Sequence, residues 1–409
     1  MPDPPASGSL DTEAGWDFLA AARALTPRIA AAGEEIDAQR RLPPSLVEAM
    51  VDAGLFRMLL PRLAGGAEAP LPTFLTVVEE VARADGSCAW CLAQACVSAA
   101  AAVPYYDDGP VRQLFGDRRL VMANGTGSSG RAVAVPGGYR VTAEWPFASG
   151  CTHATWLKGV APVYDAGGAP VQLEGGSQEL RLLLFPASAG RLLDTWHVSG
   201  LRGTGSHTIT LHETFIPAEQ TAVASESRRR VRWALDAIPA DNLFAAGFAS
   251  VAMGLARGAL EALIALASTK SPRGTGRLLA EDVAVQLQVG QAEATLRGAR
   301  AFLHEAAQEV WHASTGATLD ERQRMLFRLA ATSGIHAAAR VVDVAYGAAG
   351  ATAIFASHGF ERRFRDVHAV TQQTQARRSH LATVGRFLLG SAPQDASVAP
   401  SGVVRRAQS

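Results

Sequence analysis

The texture of this chain changes twice along its length, and that double switch restricts the fold more than any single motif. Residues 12–118 are rich in Ala, Leu and Arg, with apolar positions at helical spacing, and Ala is the strongest helix former. Between 119 and 225 glycines multiply, prolines separate short runs, and apolar and polar residues alternate in Tyr139-Arg140-Val141-Thr142, in 180–185 and in 208–212. Short alternating runs with turn signals between them predict the strands of an antiparallel β-barrel or sandwich. From 230 to 391 the helical pattern returns in long stretches of Ala, Gly and Leu, a composition suited to helices packed closely as a four-helix bundle. Residues 392–409, rich in Ser, Pro and Ala, read as a flexible tail. The expectation is an α+β protein with an N-terminal helical domain, a central β-domain and a C-terminal bundle.

Local signals place several helix ends. Pro43-Pro44-Ser45 breaks the first half, and Ser45 is a candidate cap for a helix over 46–53 that ends at Gly54. Pro72-Thr73 opens a helix with Phe74, Val77, Val78 and Val81 on one face. Asp85-Gly86-Ser87 breaks and recaps the chain ahead of the apolar run 88–103. That run carries Gln94 and Ser98, stops at Pro104 and is short for a membrane span, so it reads as a buried helix. Cys88 and Cys91 have CxxC spacing without a second pair, which points to buried thiols, and Cys151 reads as structural or pocket-lining. The 38 basic and 38 acidic residues balance, and Arg228-Arg229-Arg230 is the one basic block, which argues against nucleic acid or an anionic membrane as partner. The first residues lack a basic segment followed by an apolar one, so the expected location is cytoplasmic.

The stretch with most chemical content is 144–156, E-W-P-F-A-S-G-C-T-H-A-T-W. Strand alternation would put Trp145, Phe147 and Ser149 on one face, with Pro146 and Ala148 on the other. Ser149-Gly150 would then end or kink the strand. Two aromatics, a hydroxyl and a bare backbone make a wall for a flat heteroaromatic cofactor; the same pattern also suits a half-buried strand of an ordinary β-domain. His153, four residues on, either lines the same pocket or is a hydrogen-bonded core histidine. Gly203-Thr204-Gly205-Ser206, followed by His207, is either a backbone anion site or a tight turn.

Five motifs occur in a telling order: Ala53-Gly54-Leu55-Phe56-Arg57, Asp85-Gly86-Ser87-Cys88-Ala89-Trp90, Gly138-Tyr139-Arg140-Val141 leading into Trp145-Pro146-Phe147-Ala148-Ser149-Gly150, Gly200-Leu201-Arg202-Gly203-Thr204-Gly205-Ser206, and Arg363-Phe364-Arg365-Asp366-Val367-His368-Ala369. Over 16–390 the chain resembles the acyl-CoA dehydrogenase superfamily, and within it the two-component flavin-dependent monooxygenases. The resemblance implies a homotetramer that takes reduced FMN or FAD from a separate reductase, with O2, and oxygenates a small aromatic or polycyclic substrate through a C4a-(hydro)peroxyflavin. It implies that Trp145, Phe147, Ser149 and Gly150 lie along the isoalloxazine, with Trp145 stacked or edge-on and the Ser149 hydroxyl at N5. It further implies that Arg273 holds the flavin phosphate, that Ser149 is catalytic, and that Trp90, His207 and Gln373 meet the substrate. For acid/base work the sequence itself offers His153, four residues after Ser149, as the catalytic candidate, with His207 and His368 as the others. Arg365-Asp366 would be a structural pair.

Two departures from the family pattern matter. The position of the dehydrogenases' catalytic glutamate is Thr374, and no carboxylate lies between Asp366 and Gly390. Removing an acidic α-proton needs a general base, so this chemistry is disfavoured. The histidines frequent in the monooxygenases are replaced by Gln372-Gln373 and by Ser98-Ala99. A flavin dehydrogenase or oxidase with another base, and a non-catalytic member of the fold, are the alternatives.

Overall fold

The computed structural model describes residues 17–315 and 319–390. The first positions of the helical stretch expected from 12, and the tail from 392, lie outside the described residues. The chain opens with α1 (Phe18–Ala31), α2 (Gly33–Gln39), α3 (Pro44–Asp52), α4 (Leu71–Ala84), α5 (Gly86–Ala102) and α6 (Asp108–Phe115). The α4 face bearing Phe74, Val77, Val78 and Val81 is buried, as its spacing predicts. Asp85 caps α5, its carboxylate accepting the Cys88 N–H at 2.9 Å. Ser45 caps nothing: α3 starts at Pro44, whose fixed φ suits a first helical position, so Ser45 already lies inside the first turn.

The strands are β1 (Met122–Ser128), β2 (Arg131–Val135), β3 (Gly138–Ala148), β4 (Trp156–Tyr164), β5 (Leu180–Pro186), β6 (Arg191–Leu193), β7 (His207–Pro217) and β8 (Thr221–Val223). Their order is β6-β7-β3-β2-β4-β5-β8, with β1 on β4. Antiparallel pairing dominates, but β4 runs parallel to both β1 and β2. The sheet is therefore mixed, because the turn over 149–155 carries the chain across before β4 begins.

The bundle comprises α7 (Ala240–Ala267), α8 (Val283–Ser314), α9 (Glu321–Ala349), α10 (Phe360–Thr371) and α11 (Ser379–Leu388). Segments Gly86–Tyr105 and Ala240–Ala267 are long and apolar enough to cross a membrane, but 94% of each window is buried inside the protein. A helix apolar all round needs such a core position. Here α5 lies between the bundle and the sheet.

Arg365 and Asp366 are both structural, though not as a pair. Arg365 binds Asp37 and Glu361. Asp366 accepts the Leu201 N–H at 2.6 Å, which pins the 200–206 loop to α10. Burial, reinforced by neighbouring Asp85, pushes Asp366 up to about 7. Because its folded value exceeds its unfolded one, the native state holds the extra proton, and stability falls as pH rises from the ordinary carboxylate range to about 7. Asp366→Asn keeps an acceptor oxygen for Leu201 and cannot ionise. Its melting temperature is expected to exceed that of the parent by several degrees at about pH 8 and to converge with it in acid. A variant that melts lower at both pH values would refute this.

Candidate active site

The site is built around an irregularity in β3. Opposite β7, Trp145 pairs with Ile209 but Ala148 pairs with His207, so β3 carries one extra residue there. The bulge puts Phe147 at φ 59°, a strained value for a bulky side chain. It also overturns the expected common face of Trp145 and Phe147, since one inserted residue reverses the alternation beyond it. Trp145 turns into the sheet's core with no exposed surface. Its indole Nε1 donates to the Val160 carbonyl at 2.8 Å. Gly125 and Gly159 leave it room: a Cβ on either would come within 2.5 Å of its atoms. No ligand ring can stack on Trp145 in this position. Phe147 takes the outer face, 59% exposed and edge-on to Trp196 at 6.0 Å.

Beyond the bulge, Ser149 sits in a chain of hydrogen bonds whose direction can be assigned. Thr204 Oγ1 lies 2.8 Å from the Leu201 carbonyl, which can only accept, so the one Thr204 proton goes there. Ser206 Oγ, 2.7 Å from Thr204 Oγ1, must then donate to it. Ser149 Oγ, 2.7 Å from Ser206 Oγ, must donate in turn. Trp90 Nε1 donates to Ser149 Oγ at 2.9 Å, and the Trp90 ring is stacked on Phe248 of α7 at 3.8 Å. Ser149 thus has no proton to offer and one lone pair left. The 202–206 segment that closes the relay is the tight turn of the two readings above. A Cβ on Gly203 would meet Ile36 at 2.0 Å, and Thr204 O accepts the Gly150 N–H at 2.8 Å.

His153 lies against Gly150, where an added Cβ would sit 3.2 Å from Nε2. Both ring nitrogens are enclosed and have no hydrogen-bond partner among the described residues. Burial lowers the imidazole to about 4, so it is neutral near pH 7 and can donate or accept. The two orphaned His153 nitrogens and the free Ser149 lone pair are the unmet polar groups here, and a flat ligand with polar edges would satisfy them. The other predicted residues fall elsewhere. His207 lines a cleft of about 430 Å³ with Arg40, Thr152 and Asp194, and its Nδ1 accepts the Trp196 N–H at 3.3 Å. The Gln373 side chain caps a short turn through the Gln375 N–H. Arg273 is exposed in the loop between α7 and α8.

Models of the acyl-CoA dehydrogenase N-terminal and C-terminal domains match residues 17–109 and 246–378, together more than half of the chain. The chain belongs to the acyl-CoA dehydrogenase superfamily. It is similar to indole-3-acetate monooxygenase of Pseudomonas putida, 28% identical over 88% of this chain and 90% of that one. It is 28% identical to the FADH(2)-dependent resorcinol hydroxylase oxygenase component of Rhizobium sp., over 87% of this chain and 90% of the relative. Among solved structures, XiaF from Streptomyces sp. in complex with FADH2 and glycerol superposes with a TM-score of 0.84 at 24% identity, covering 94% of this chain and 97% of that one.

Within this acyl-CoA dehydrogenase fold, one polar stripe escaped the reading of the sequence. Trp90, Gln94 and Ser98 recur at one-turn spacing on α5. Gln94 donates to Asn124 Oδ1 at 2.9 Å, and Ser98 also bonds that oxygen. Lys158 of β4 donates to the Ser98 carbonyl at 2.8 Å. Burial alone pushes Lys158 down to about 7. The available signal was compositional: of 38 basic residues only Lys158 and Lys270 are lysines.

Proposed function

We propose that this chain is the oxygenase component of a two-component flavin-dependent monooxygenase. It takes reduced FMN or FAD from a separate reductase and, with O2, oxygenates a small aromatic or polycyclic molecule. Bound there, the flavin would supply the electrons that activate oxygen. The residues to hold it are Phe147 against the ring, Gly150 where the backbone comes close, His153 on a polar edge and Ser149 at N5; Trp145 drops out because it is core.

The observation that carries this reading is the acceptor-only state of Ser149. Reduced flavin presents an N–H at N5, whereas oxidised flavin presents a lone pair there, so an acceptor favours the reduced form. The absence of any carboxylate between Asp366 and Gly390 weighs against the dehydrogenase alternative. In the same reading the enzyme is cytoplasmic and tetrameric, with Arg273 serving the flavin tail of a neighbouring copy. Exposed Val283, Leu287, Ile354 and Phe355 on the bundle support burial against another subunit.

Anaerobic titration with FMN and FAD in both redox states tests the proposal. Reduced flavin is expected to bind about tenfold tighter than oxidised, the equivalent of roughly 1.4 kcal/mol. Admitting O2 with an aromatic substrate should then yield oxygenated product. A protein that binds flavin in neither redox state would overturn it.

A further inference from the structure

Two arginines follow α2 in the chain, and their settings differ. Arg40 ends the helix in the left-handed region, at φ 54°. Its guanidinium holds both oxygens of Asp194, at 2.7 and 2.9 Å, and donates to the Trp196 carbonyl at 3.1 Å. That pairing keeps Asp194 down at about 2, so the carboxylate is ionised at neutral pH and its charge is met by Arg40. Arg41 has one polar partner among the described residues, Gln39 Oε1 at 3.4 Å. Both arginines line the cleft of about 430 Å³, together with Thr152, Leu192, Asp194 and His207. None of the four residues assigned to the flavin ring lines it.

His207 decides what the cleft presents. The residue is 9% exposed, and its Nδ1 receives the Trp196 backbone N–H at 3.3 Å. A backbone N–H can only donate, so Nδ1 carries no proton. Asp194 Oδ1, 3.4 Å from the same nitrogen, is already bonded to Arg40. Burial lowers the imidazole, so the ring is neutral near pH 7 and its one proton sits on Nε2. Nε2 has no hydrogen-bond partner among the described residues, and unlike the His153 nitrogens it is not sealed from the surface. The cleft therefore holds an unused N–H on a side chain nine-tenths buried, a guanidinium with donors to spare and the hydroxyl of Thr152.

Charge selects among ligands. Arg40 and Asp194 cancel, which leaves the single positive charge of Arg41 among the residues lining the cleft. A dianion would bring two negative charges to one cation with Asp194 close by, and a neutral molecule would leave that cation unanswered. A flat monoanion with two oxygens matches the donors, one oxygen for His207 Nε2–H and one for the Arg41 fork. Leu192, 37% exposed, and the arginine stems give its hydrocarbon body an apolar wall.

We propose that this cleft is a binding site for a small organic carboxylate, held by His207 Nε2 and Arg41 with Leu192 against its hydrocarbon body. The site stands on its own donors and does not depend on the monooxygenase reading.

The test is calorimetric titration of the full-length protein with benzoate at about pH 7 and low salt, with and without flavin. Saturable binding with a Kd of about a millimolar is expected, and benzamide, the neutral molecule of the same shape, should bind at least about tenfold more weakly. Sulfate, a dianion, should also bind at least about tenfold more weakly. Arg41→Gln and His207→Phe are each expected to weaken benzoate about tenfold, whereas His207→Gln, which keeps an N–H near the place of Nε2, should stay within about threefold of the parent. Thermal melts establish that each variant is folded, and Arg41→Gln, at an exposed position, carries the test if His207→Phe does not fold. No saturable binding by the parent, equal binding of benzamide or of sulfate, or benzoate affinity unchanged in Arg41→Gln overturns the assignment. Benzoate binding by a protein that takes up no flavin would leave the site standing while the monooxygenase reading falls. Flavin uptake without benzoate binding would do the opposite.

Discussion

Ser149→Ala is expected to erase the preference for reduced over oxidised flavin, cutting affinity for the reduced form about tenfold while the oxidised form binds as well or better. The alanine leaves the flavin N5–H facing no acceptor, and an unsatisfied buried donor costs roughly 1–3 kcal/mol. A tenfold change in the ratio of affinities corresponds to about 30 mV in the bound two-electron potential, so potentiometry checks the result without turnover. In turnover, oxygen consumed should appear increasingly as hydrogen peroxide in place of product, because the N5 proton is no longer held. The neighbouring hydroxyls supply the control. Thr204→Val removes the bond to the Leu201 carbonyl that fixes the relay's direction. Ser206 and Ser149 are then free to turn, Ser149 can donate, and oxidised flavin should gain. Thr204→Ser keeps the direction and should behave as the parent. If Ser149→Ala and Thr204→Val both retain the parent's ratio of affinities, the hydroxyl chain has no part in choosing the redox state.

Much of the architecture could be read from local pattern, because helices announce themselves through nearby residues. The face of α4 and the Asp85 cap of α5 depend on positions within one or two turns. The Ser149-Gly150 kink was legible for the same reason. What escaped depends on partners far along the chain. The bulge exists only relative to β7, more than fifty residues on, so alternation within 144–149 could not reveal it. Adjacent residues on a helix point in different directions. Arg365 therefore reaches Asp37 and Glu361 while Asp366 turns to Leu201, and reading them as a pair took sequence adjacency for contact. Lys158 owes its setting to α5 and β1, and its only mark in the sequence was being a lysine among arginines.

The two aromatics of β3 are expected to respond in opposite ways when replaced. Trp145→Ala empties a fully buried site whose walls, Gly125 and Gly159, are shaped around the indole, and it strands the Val160 carbonyl that the indole nitrogen serves. Such truncations cost about 3–5 kcal/mol, so a large fall in melting temperature is expected. Phe147→Gly should do the reverse. A φ of 59° carries a penalty of roughly 1–2 kcal/mol for a residue with a Cβ and none for glycine. The ring is 59% exposed, so little buried apolar contact is lost. The expected result is unchanged or higher stability together with reduced-flavin affinity weakened several-fold, measured by melting and by anaerobic titration on the same preparation. Loss of stability with flavin affinity intact would return Phe147 to a purely structural role. A phenylalanine held at a backbone angle better suited to glycine, with most of its ring outside the core, does little for the fold that carries it; the benefit must come from what lies against that ring.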